Sequence, residues 1–225
     1  MGSLFYWTDK SVYTLIKPYR SVYVKSICKI DRQGCILGDM ELSRKEHLVQ
    51  TALELFYRDG FHATGIDKIL RESGVAKMTL YKHFRSKEDL ILAVLQERDR
   101  RFRGWFVREL EQRAVTPQEK LLAAFDVLEL WFHGEFRGCM FINAAAEFSD
   151  INEDIHRLSG EHKRQMLDYL TELARAAGAP DPEGLAFQLN LLLEGAIVLA
   201  HVCQDPSSAP KAKIAAKTLI ESALR

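Results

Sequence analysis

The stretch from residue 74 to residue 90 limits what this chain can fold into more than any other segment. It reads Gly-Val-Ala-Lys-Met-Thr-Leu-Tyr-Lys-His-Phe-Arg-Ser-Lys-Glu-Asp-Leu, which predicts a tight turn, a short helix, a second turn and the capped start of a long helix. A helix this short is not stable alone in water, so neighbouring elements must hold it in place. A short helix held with its outer face exposed is typical of a DNA recognition helix.

The two faces of this short helix differ in chemistry. Val75, Leu80 and Phe84 recur at helical spacing and are predicted to anchor the helix to its neighbours. The opposite face carries side chains of the types that bond phosphate oxygens and base edges, namely Lys77, Thr79, Tyr81 and His83. The alternative, a solvated face that happens to carry a tyrosine, is disfavoured because the flanking segments also fit a DNA-binding unit.

Those flanking segments repeat one helix-start pattern. A hydroxyl residue stands three positions before an acid in residues 43–46, 64–67 and 86–89, which predicts three capping boxes. The first helix is predicted to end at Asp59-Gly60 and the second at Ser73-Gly74, since glycine after a helix accepts a left-handed turn. Helix, helix, tight turn and helix therefore fit within residues 43–84 as a helix-turn-helix in a three-helix unit.

The run from Leu42 to Leu90 resembles the DNA-binding domain of the TetR/AcrR family of bacterial repressors. The string Thr-Leu-Tyr-x-His-Phe-x-Ser-Lys-Glu-x-Leu at residues 79–90 carries most of the likeness. One departure is Ala76, where such proteins often carry a serine or threonine cap, and losing a cap costs about 1 kcal/mol. The resemblance implies a cytoplasmic homodimer that binds a palindromic operator and releases it when a small molecule enters the C-terminal domain.

The resemblance assigns recognition-helix contacts to Thr79, Tyr81 and His83, and a phosphate contact to Lys87. Together with the residues on the exposed face and in the matching motif, the predicted DNA-contacting set is Thr64, Lys77, Met78, Thr79, Tyr81, Lys82, His83 and Lys87.

Net charge is zero over the chain but is distributed unevenly. Residues 40–87 hold nine basic and six acidic side chains, whereas residues 88–225 hold sixteen basic and twenty-two acidic ones. Positive charge therefore gathers where phosphate would be met, and the C-terminal part repels DNA.

Residues 1–39 follow a different pattern, rich in β-branched and aromatic residues without a helical period. We expect them to be a poorly ordered extension or the product of an upstream start codon, because Met40 stands three residues before the first capping box. The alternative is a basic arm that reaches a minor groove. Its candidates are Lys10, Lys17, Arg20, Lys25, Lys29 and Arg32.

From residue 88 onward the pattern is helical throughout, so the predicted fold is all-α. An N-terminal helix-turn-helix domain at 40–87 precedes a helical ligand-binding and dimerisation domain at 88–225. Helices are expected at 87–114, from 117 through Trp131, and at 139–148, 152–177, 182–201 and 212–224. Breaks are expected between Gly134 and Gly138 and at 206–210. The apolar stretch at 185–202 contains polar residues and is interpreted as a buried helix rather than a membrane span.

The last two helices are the predicted dimer pair, giving a four-helix bundle between two subunits. The face expected to meet the partner carries Ala186, Leu189, Leu193, Ala196, Ile197 and Ala200, joined by Ile214, Leu219 and Ile220. The alternative is that these helices pack only within one subunit.

The predicted ligand pocket combines aromatic residues with polar groups inside apolar helices. Its candidates are Phe102, Trp105, Phe125, Trp131, Asn143, Tyr169, Asn190 and Glu194, although an aromatic residue of this kind is more often plain core. Glu194 is expected to face a cationic ligand or to pair with an arginine in the same subunit.

Two other classes of protein compete with this interpretation. A thiol-based redox sensor would use Cys139, which follows Gly138 at a helix start. A small helical enzyme would need His133, Glu135, His156 and His162, whose spacing matches no catalytic or metal motif. No cofactor is expected. The four cysteines form no Cys-x-x-Cys pair, which favours free thiols in a reducing compartment.

Overall fold

The structure, a computed structural model, describes residues 43–151 and 153–225, and residues 43–225 form one compact unit. The predictions for residues 1–39 and for a natural start at Met40 lie outside the described residues. The described part is all-helical, as predicted, and contains no strand.

Three helices form the N-terminal part. They are α1 (Arg44–Asp59), α2 (Ile66–Ser73) and α3 (Lys77–His83). The capping box at the start of α1 is confirmed: the Ser43 hydroxyl accepts from the amide of Glu46, and the Glu46 carboxylate accepts from the amide of Ser43. The tight turn before α3 depends on Gly74, which adopts a left-handed φ of 66°.

The second predicted capping box is wrong. Gly65, not Thr64, precedes α2, and no side chain caps this helix. Thr64 instead turns inward, where its hydroxyl donates to the carbonyl of Leu55 at 3.4 Å. The third box forms in part, because Ser86 accepts from the amide of Asp89 while the Asp89 carboxylate accepts from the amide of Arg85.

Six further helices complete the described chain. They are α4 (Lys87–Arg113), α5 (Pro117–Phe132), α6 (Met140–Glu147), α7 (Asp154–Ala176), α8 (Pro182–Val202) and α9 (Ser208–Ala223). The predicted break at 206–210 is too long, because α9 begins at Ser208 and includes Pro210. Proline is tolerated there because the amides of a first helical turn have no partner within the helix.

Helix α4 joins the three N-terminal helices to the rest of the unit. It packs against α1 near its beginning and against α5 and α7 further along. At about 1.5 Å per residue, its 27 residues extend about 40 Å. A change in the tilt of α4 would therefore move the N-terminal helices relative to the C-terminal ones.

Helix α8 packs against α7 and α9 through the apolar face that the sequence assigned to the dimer. The α8 part of that assignment is wrong, whereas Ile214 on α9 is exposed. The residues of α8 that are buried within one chain are Ala186, Leu189, Leu193, Ala196, Ile197 and Ala200. Among the described residues, α8 is also long and apolar enough to cross a membrane by length and composition. Its buried face is explained by packing against these two helices.

Candidate nucleic-acid interface and ligand cavity

The recognition helix α3 is held by the residues that its sequence pattern predicted. Leu80 is fully buried, Phe84 is nearly so, and Val75 packs against the same core. Seven residues are too few for a helix that is stable by itself, so this apolar contact with α1 fixes the orientation of α3.

The opposite face of α3 is open to solvent. Met78 is 87% exposed and Tyr81 46% exposed, and Lys77, Lys82 and His83 are exposed beside them. The Lys77 ammonium is 4.0 Å from the Asp67 carboxylate, at the limit of an ion pair, so solvent screening leaves that contact weak. This face can therefore exchange water for a nucleic acid at little cost in internal contacts.

Two other predicted DNA residues lie in different surroundings. Lys87, at the start of α4, donates from its ammonium to the carbonyl of His62 at 3.4 Å and remains accessible. Thr64 has no exposed surface, so its predicted DNA contact is wrong. A threonine next to a helix start fits the pattern of a cap, but burial against α1 determines its position here.

A second candidate site is a cavity of about 40 Å³ enclosed by α4, α5, α6, α7 and α8. Four of the eight predicted ligand residues line it: Phe102, Trp131, Asn190 and Glu194. The other four do not line it. Phe125 is buried in the core, and Trp105 lies beside Phe102 with its ring tilted by 47°. Tyr169 contacts Phe106, and the Asn143 amide donates to the carbonyl of Arg137.

The cavity wall contains a buried guanidinium. Arg98 is 8% exposed and lies over three aromatic rings, with its central carbon 5.2 Å from the ring centre of Tyr57, 5.7 Å from Phe102 and 6.0 Å from Trp131. Such distances allow cation–π attraction, which partly compensates for the loss of hydration. A signal was present in the sequence, because Arg98 interrupts an apolar stripe that runs at four-residue spacing from Val94 through Phe102 to Leu110.

An ion pair crosses the opposite wall of the cavity. The Lys163 ammonium on α7 is 2.8 and 2.7 Å from the two carboxylate oxygens of Glu194 on α8. Burial disfavours the ammonium, but the neighbouring Cys139 and Glu194 outweigh burial and raise the pKa of Lys163. Glu194 therefore pairs with a lysine in its own chain, where the sequence left open an arginine or a cationic ligand.

A chain of polar groups on α4 and α7 begins at the cavity wall, which includes His162. The imidazole of His162 is 2.7 Å from the carboxylate of Asp99, which also accepts from Arg103 at 2.6 Å. Burial alone would raise the pKa of Asp99, but the hydrogen bonds from His162 and Arg103 outweigh it and lower that pKa to about 2. Burial lowers the pKa of His162, so at neutral pH its uncharged ring donates to Asp99.

Glu147, at the end of α6, connects the cavity region to the N-terminal helices. Its two carboxylate oxygens accept from the backbone amides of Phe61 at 2.9 Å and His62 at 2.6 Å, in the loop after α1. The His62 ring lies 2.9 Å from the Glu147 carbonyl. The loop approaches so closely that a side chain at Gly60, where φ is 88°, would lie 3.2 Å from Glu147.

The beginning of the α6 segment is bonded to the same N-terminal part. The Tyr57 hydroxyl on α1 donates to the carbonyl of Gly138 at 3.0 Å and accepts from the amide of Arg137 at 2.9 Å. The ring of Tyr57 also lies beneath Arg98. Because Met140 and Phe141 on α6 line the cavity, the helix that forms one cavity wall is bonded at both ends to the N-terminal helices.

A stripe on the outer face of α8 is apolar and exposed. It carries Phe187, Leu191, Val198, Leu199 and Val202, and Ile214 on α9 is exposed as well. A side chain added at Gly195, which lies on the same face, would meet no neighbouring atom within 4 Å. The chain therefore presents an apolar surface with room for close approach, on the side of α8 opposite to the predicted one.

Known proteins share this arrangement along most of the described chain. Residues 48–94 match the family model for bacterial regulatory proteins of the tetR family, and residues 117–216 match the model for tetracyclin repressor-like C-terminal domains. The crystal structure of SCO4454, a TetR-family transcriptional regulator from Streptomyces coelicolor, superposes with a TM-score of 0.75 at 30% identity. That superposition covers 81% of this chain and 96% of the other. The chain belongs to the TetR family.

Two curated TetR-family relatives come from Escherichia coli K12. The HTH-type transcriptional regulator YjdC is 25% identical over 155 residues, which is 68% of this chain and 81% of YjdC. The HTH-type transcriptional repressor NemR is 26% identical over 134 residues, which is 59% of this chain and 67% of NemR. The resemblance inferred from residues 42–90 is thus confirmed, as is the all-helical TetR architecture.

Membership of the TetR family makes this chain a transcription regulator by class. The residues considered for an enzyme do not form a catalytic group, since His133 and Glu135 are exposed while His162 lies against Asp99 in the interior. Within residues 43–151 and 153–225, no cluster of three or more His, Cys, Asp or Glu residues could hold a metal ion.

Proposed function

We propose that this TetR-family chain is a cytoplasmic repressor, which binds a palindromic operator as a homodimer and releases it when a small molecule enters the cavity. The observation that carries the proposal is the outer face of α3, where Lys77, Tyr81, Lys82 and His83 are exposed while Leu80 and Phe84 anchor the helix. Arginine and lysine supply phosphate contacts, and threonine and lysine reach base edges. The name repressor also belongs to the relative NemR.

The exposed stripe on α8 supports the homodimer. A contiguous apolar surface of this kind is unfavourable in water, and a second copy of the same stripe would cover it around a two-fold axis. A dimer places two copies of α3 at a fixed separation. An operator with two-fold symmetry then has half-sites at a matching spacing.

The contacts of α6 can transmit a movement at the cavity to the helix proposed to contact DNA. A ligand that pushes aside Met140 or Phe141, which line the cavity at the beginning of α6, would move this end of the helix. The other end of α6 holds the loop at Phe61 and His62 through Glu147. Moving α6 would therefore tilt α1 and α3 and change the separation of the two recognition helices in the dimer.

Selection of genomic fragments by the purified full-length protein tests this function. We expect recovered fragments to share a palindrome and anisotropy titrations to show one dimer per site, with affinity falling steeply as salt is raised. Lys82→Ala should weaken binding, whereas Lys217→Ala, an exposed lysine on α9, should not. Fragments without a common sequence, binding by monomers, or a flat salt response would contradict the proposal.

Thiol sensing through Cys139 is the second candidate, and one contact favours it. Cys139 is 4% exposed at the cavity wall and interacts with the ammonium of Lys163, a cation that can stabilise a thiolate. Peroxide should then release the wild-type protein from operator and leave Cys139→Ser bound, with Cys203→Ser, at an exposed free thiol, behaving like wild type. Equal responses of all three proteins would remove this candidate.

A further inference from the structure

We propose that the cavity binds an uncharged, planar organic molecule of the class of aromatic carboxamides and lactams, with its amide edge on Asn190 and its ring among the aromatic side chains. This inference rests on the proposed function, because it names the chemical class of the effector. It follows from the pairing of charges in the cavity wall, from an amide side chain without a partner, and from the rings that surround the space.

The charged side chains of the cavity wall are already engaged within the protein. The Lys163 ammonium is bound to both carboxylate oxygens of Glu194, at 2.8 and 2.7 Å. Arg98 lies over three aromatic rings and has a further interaction within the chain. His162 is hydrogen-bonded to Asp99, and burial lowers the pKa of His162, so its ring is uncharged at neutral pH. The wall therefore does not need a charged ligand to balance its own charges.

An ionic ligand would gain little at this wall. Beside the pair of Lys163 and Glu194, a ligand charge of either sign meets one charge of the same sign and one of the opposite sign, so attraction and repulsion largely cancel. The ion would also lose its hydration on entry, and that cost is recovered only when a charge is paired. An uncharged molecule avoids the cost, so the electrostatics of the cavity favour it.

Asn190 supplies the polar contact for such a molecule. It lines the cavity from α8 and is half-buried. No hydrogen bond joins its side-chain amide to another of the described residues. A carboxamide group offers one acceptor oxygen and two N–H donors. A ligand that carries an acceptor and a donor side by side, as a primary amide or a lactam does, can therefore form two hydrogen bonds with Asn190.

The rest of the wall fits a flat ring. Its aromatic residues are Phe102, Phe106, Trp131 and Phe141. Aromatic side chains attract a planar ring in offset-stacked or edge-on arrangements. The existing space of about 40 Å³ is smaller than the roughly 150 Å³ of an apolar cavity that admits benzene, so the wall has to widen. Met140 and Met166 also line the space, and unbranched methionine side chains adapt readily to a new shape.

Probes with one ring and different charges test the class of ligand. Titrations of the full-length wild-type protein without DNA, followed by NMR of the ligand, would compare benzamide, benzoate and benzylamine, with 2-quinolinone as a larger flat lactam. We expect the better of the two amides to bind about tenfold or more tightly than either ion, because only the ions carry a charge that loses hydration. Binding of an ion as tight as that of the better amide, or no binding of either amide at about 5 mM, would overturn the proposal.

Substitutions on α8 locate the amide edge of the ligand. Asn190→Ala removes the hydrogen-bonding group without filling the cavity, and toluene provides a ring of similar size without an amide. The ratio of benzamide affinity to toluene affinity should fall about fivefold or more in Asn190→Ala, as expected for the loss of at least one hydrogen bond. Gln188→Ala, which removes an exposed amide from the same helix, should keep the wild-type ratio.

Thermal unfolding of each variant establishes that it is folded. A folded Asn190→Ala protein that keeps the wild-type ratio of affinities would overturn the assignment to Asn190.

The binding experiment and the proposed function can fail separately. If an amide binds the free protein through Asn190 but leaves operator affinity unchanged, the ligand class stands and effector control of the operator fails. If the protein binds a palindrome but neither amide binds the protein, the DNA-binding function stands and the ligand class fails.

Discussion

The outer face of α3 and the cavity beside α6 both gather polar side chains, but in opposite physical states. On α3 the charges are exposed, and the nearest ion pair, from Lys77 to Asp67, is 4.0 Å long. In the cavity wall Arg98 is only 8% exposed, and Lys163 and Glu194, which are half-buried, are bound to each other at 2.7 Å. Exposed charged side chains keep their hydration, so they carry no desolvation cost before a polyanion binds. Charged side chains that are buried lose hydration and need ion-pair partners or aromatic neighbours to compensate.

That difference underlies the distinct roles that we propose for the two regions. A face with few internal contacts can give up its bound water, and displace counterions from DNA, without disturbing the fold. A cavity whose charges and rings already contact one another cannot admit a ligand without rearranging them. The first region is suited to binding, and the second is suited to converting binding into movement.

The largest expected effect separates the anchor of α3 from its outer face. Leu80→Ala should lower the free energy of unfolding by about 2–5 kcal/mol, because a fully buried leucine leaves a cavity. Met78→Ala, two residues away and 87% exposed, should change it by less than about 0.5 kcal/mol. Urea unfolding measures both, and similar losses in the two variants would show that α3 is not anchored as described.

The next prediction distinguishes a residue that contacts a base from a residue that contacts a phosphate. Thr79→Ala should change the preference for one operator base by about 1–3 kcal/mol, because a lost base contact acts at one position. Lys87→Ala should instead weaken all sequences alike and reduce the salt dependence, since the charge meets phosphate. Competition titrations with single-base operator variants measure both. The assignment of roles would be reversed if Lys87→Ala altered preference and Thr79→Ala did not.

A smaller effect concerns pH and distinguishes the buried histidine from an exposed one. Burial lowers the pKa of His162 in the folded protein from its usual 6.5, so below about that pH the unfolded chain binds more protons. Stability should therefore rise with pH through the region below 6.5 and be lost on acidification. The melting temperature of wild type should fall between pH 7.5 and 5.5. That fall should be smaller in His162→Gln but unchanged in His133→Gln, whose residue is exposed.

The sequence predicts structure well where contacts follow from local helical spacing. It predicts structure poorly where a residue packs against a segment far away in the chain. The buried and exposed faces of α3 follow from the spacing of Leu80 and Phe84, because so short a helix packs through one face only. Thr64 and the stripe of α8 were misplaced for a common reason. The spacing of a hydroxyl residue and an acid does not reveal that α1 covers Thr64. Helix α8 is apolar on both faces, so the sequence pattern of α8 does not distinguish the face that packs against α7 from the face exposed to solvent.

The cavity was predicted in part for a similar reason. Phe102 and Trp131 are aromatic, and aromatic composition favours both a pocket and ordinary core. Whether Phe125 or Phe102 lines the space depends on the packing of five helices, which no local pattern records. The interruption of an apolar stripe by Arg98 was visible in the sequence and would have identified the buried cation. The bond from Glu147 to residues 61 and 62 spans 85 residues or more and had no local signal.

The central claim is that the cavity and the recognition helix are linked through Glu147. The most direct test is an anisotropy titration of labelled operator in wild type, Glu147→Gln and the exposed control Glu172→Gln. Each protein is measured with and without a small molecule that calorimetry shows to bind the free wild-type protein. The ligand should weaken operator binding by about 5- to 150-fold in wild type and in the control. In Glu147→Gln the weakening should largely disappear while calorimetry shows unchanged ligand affinity for the free protein. Full coupling in Glu147→Gln would contradict the account.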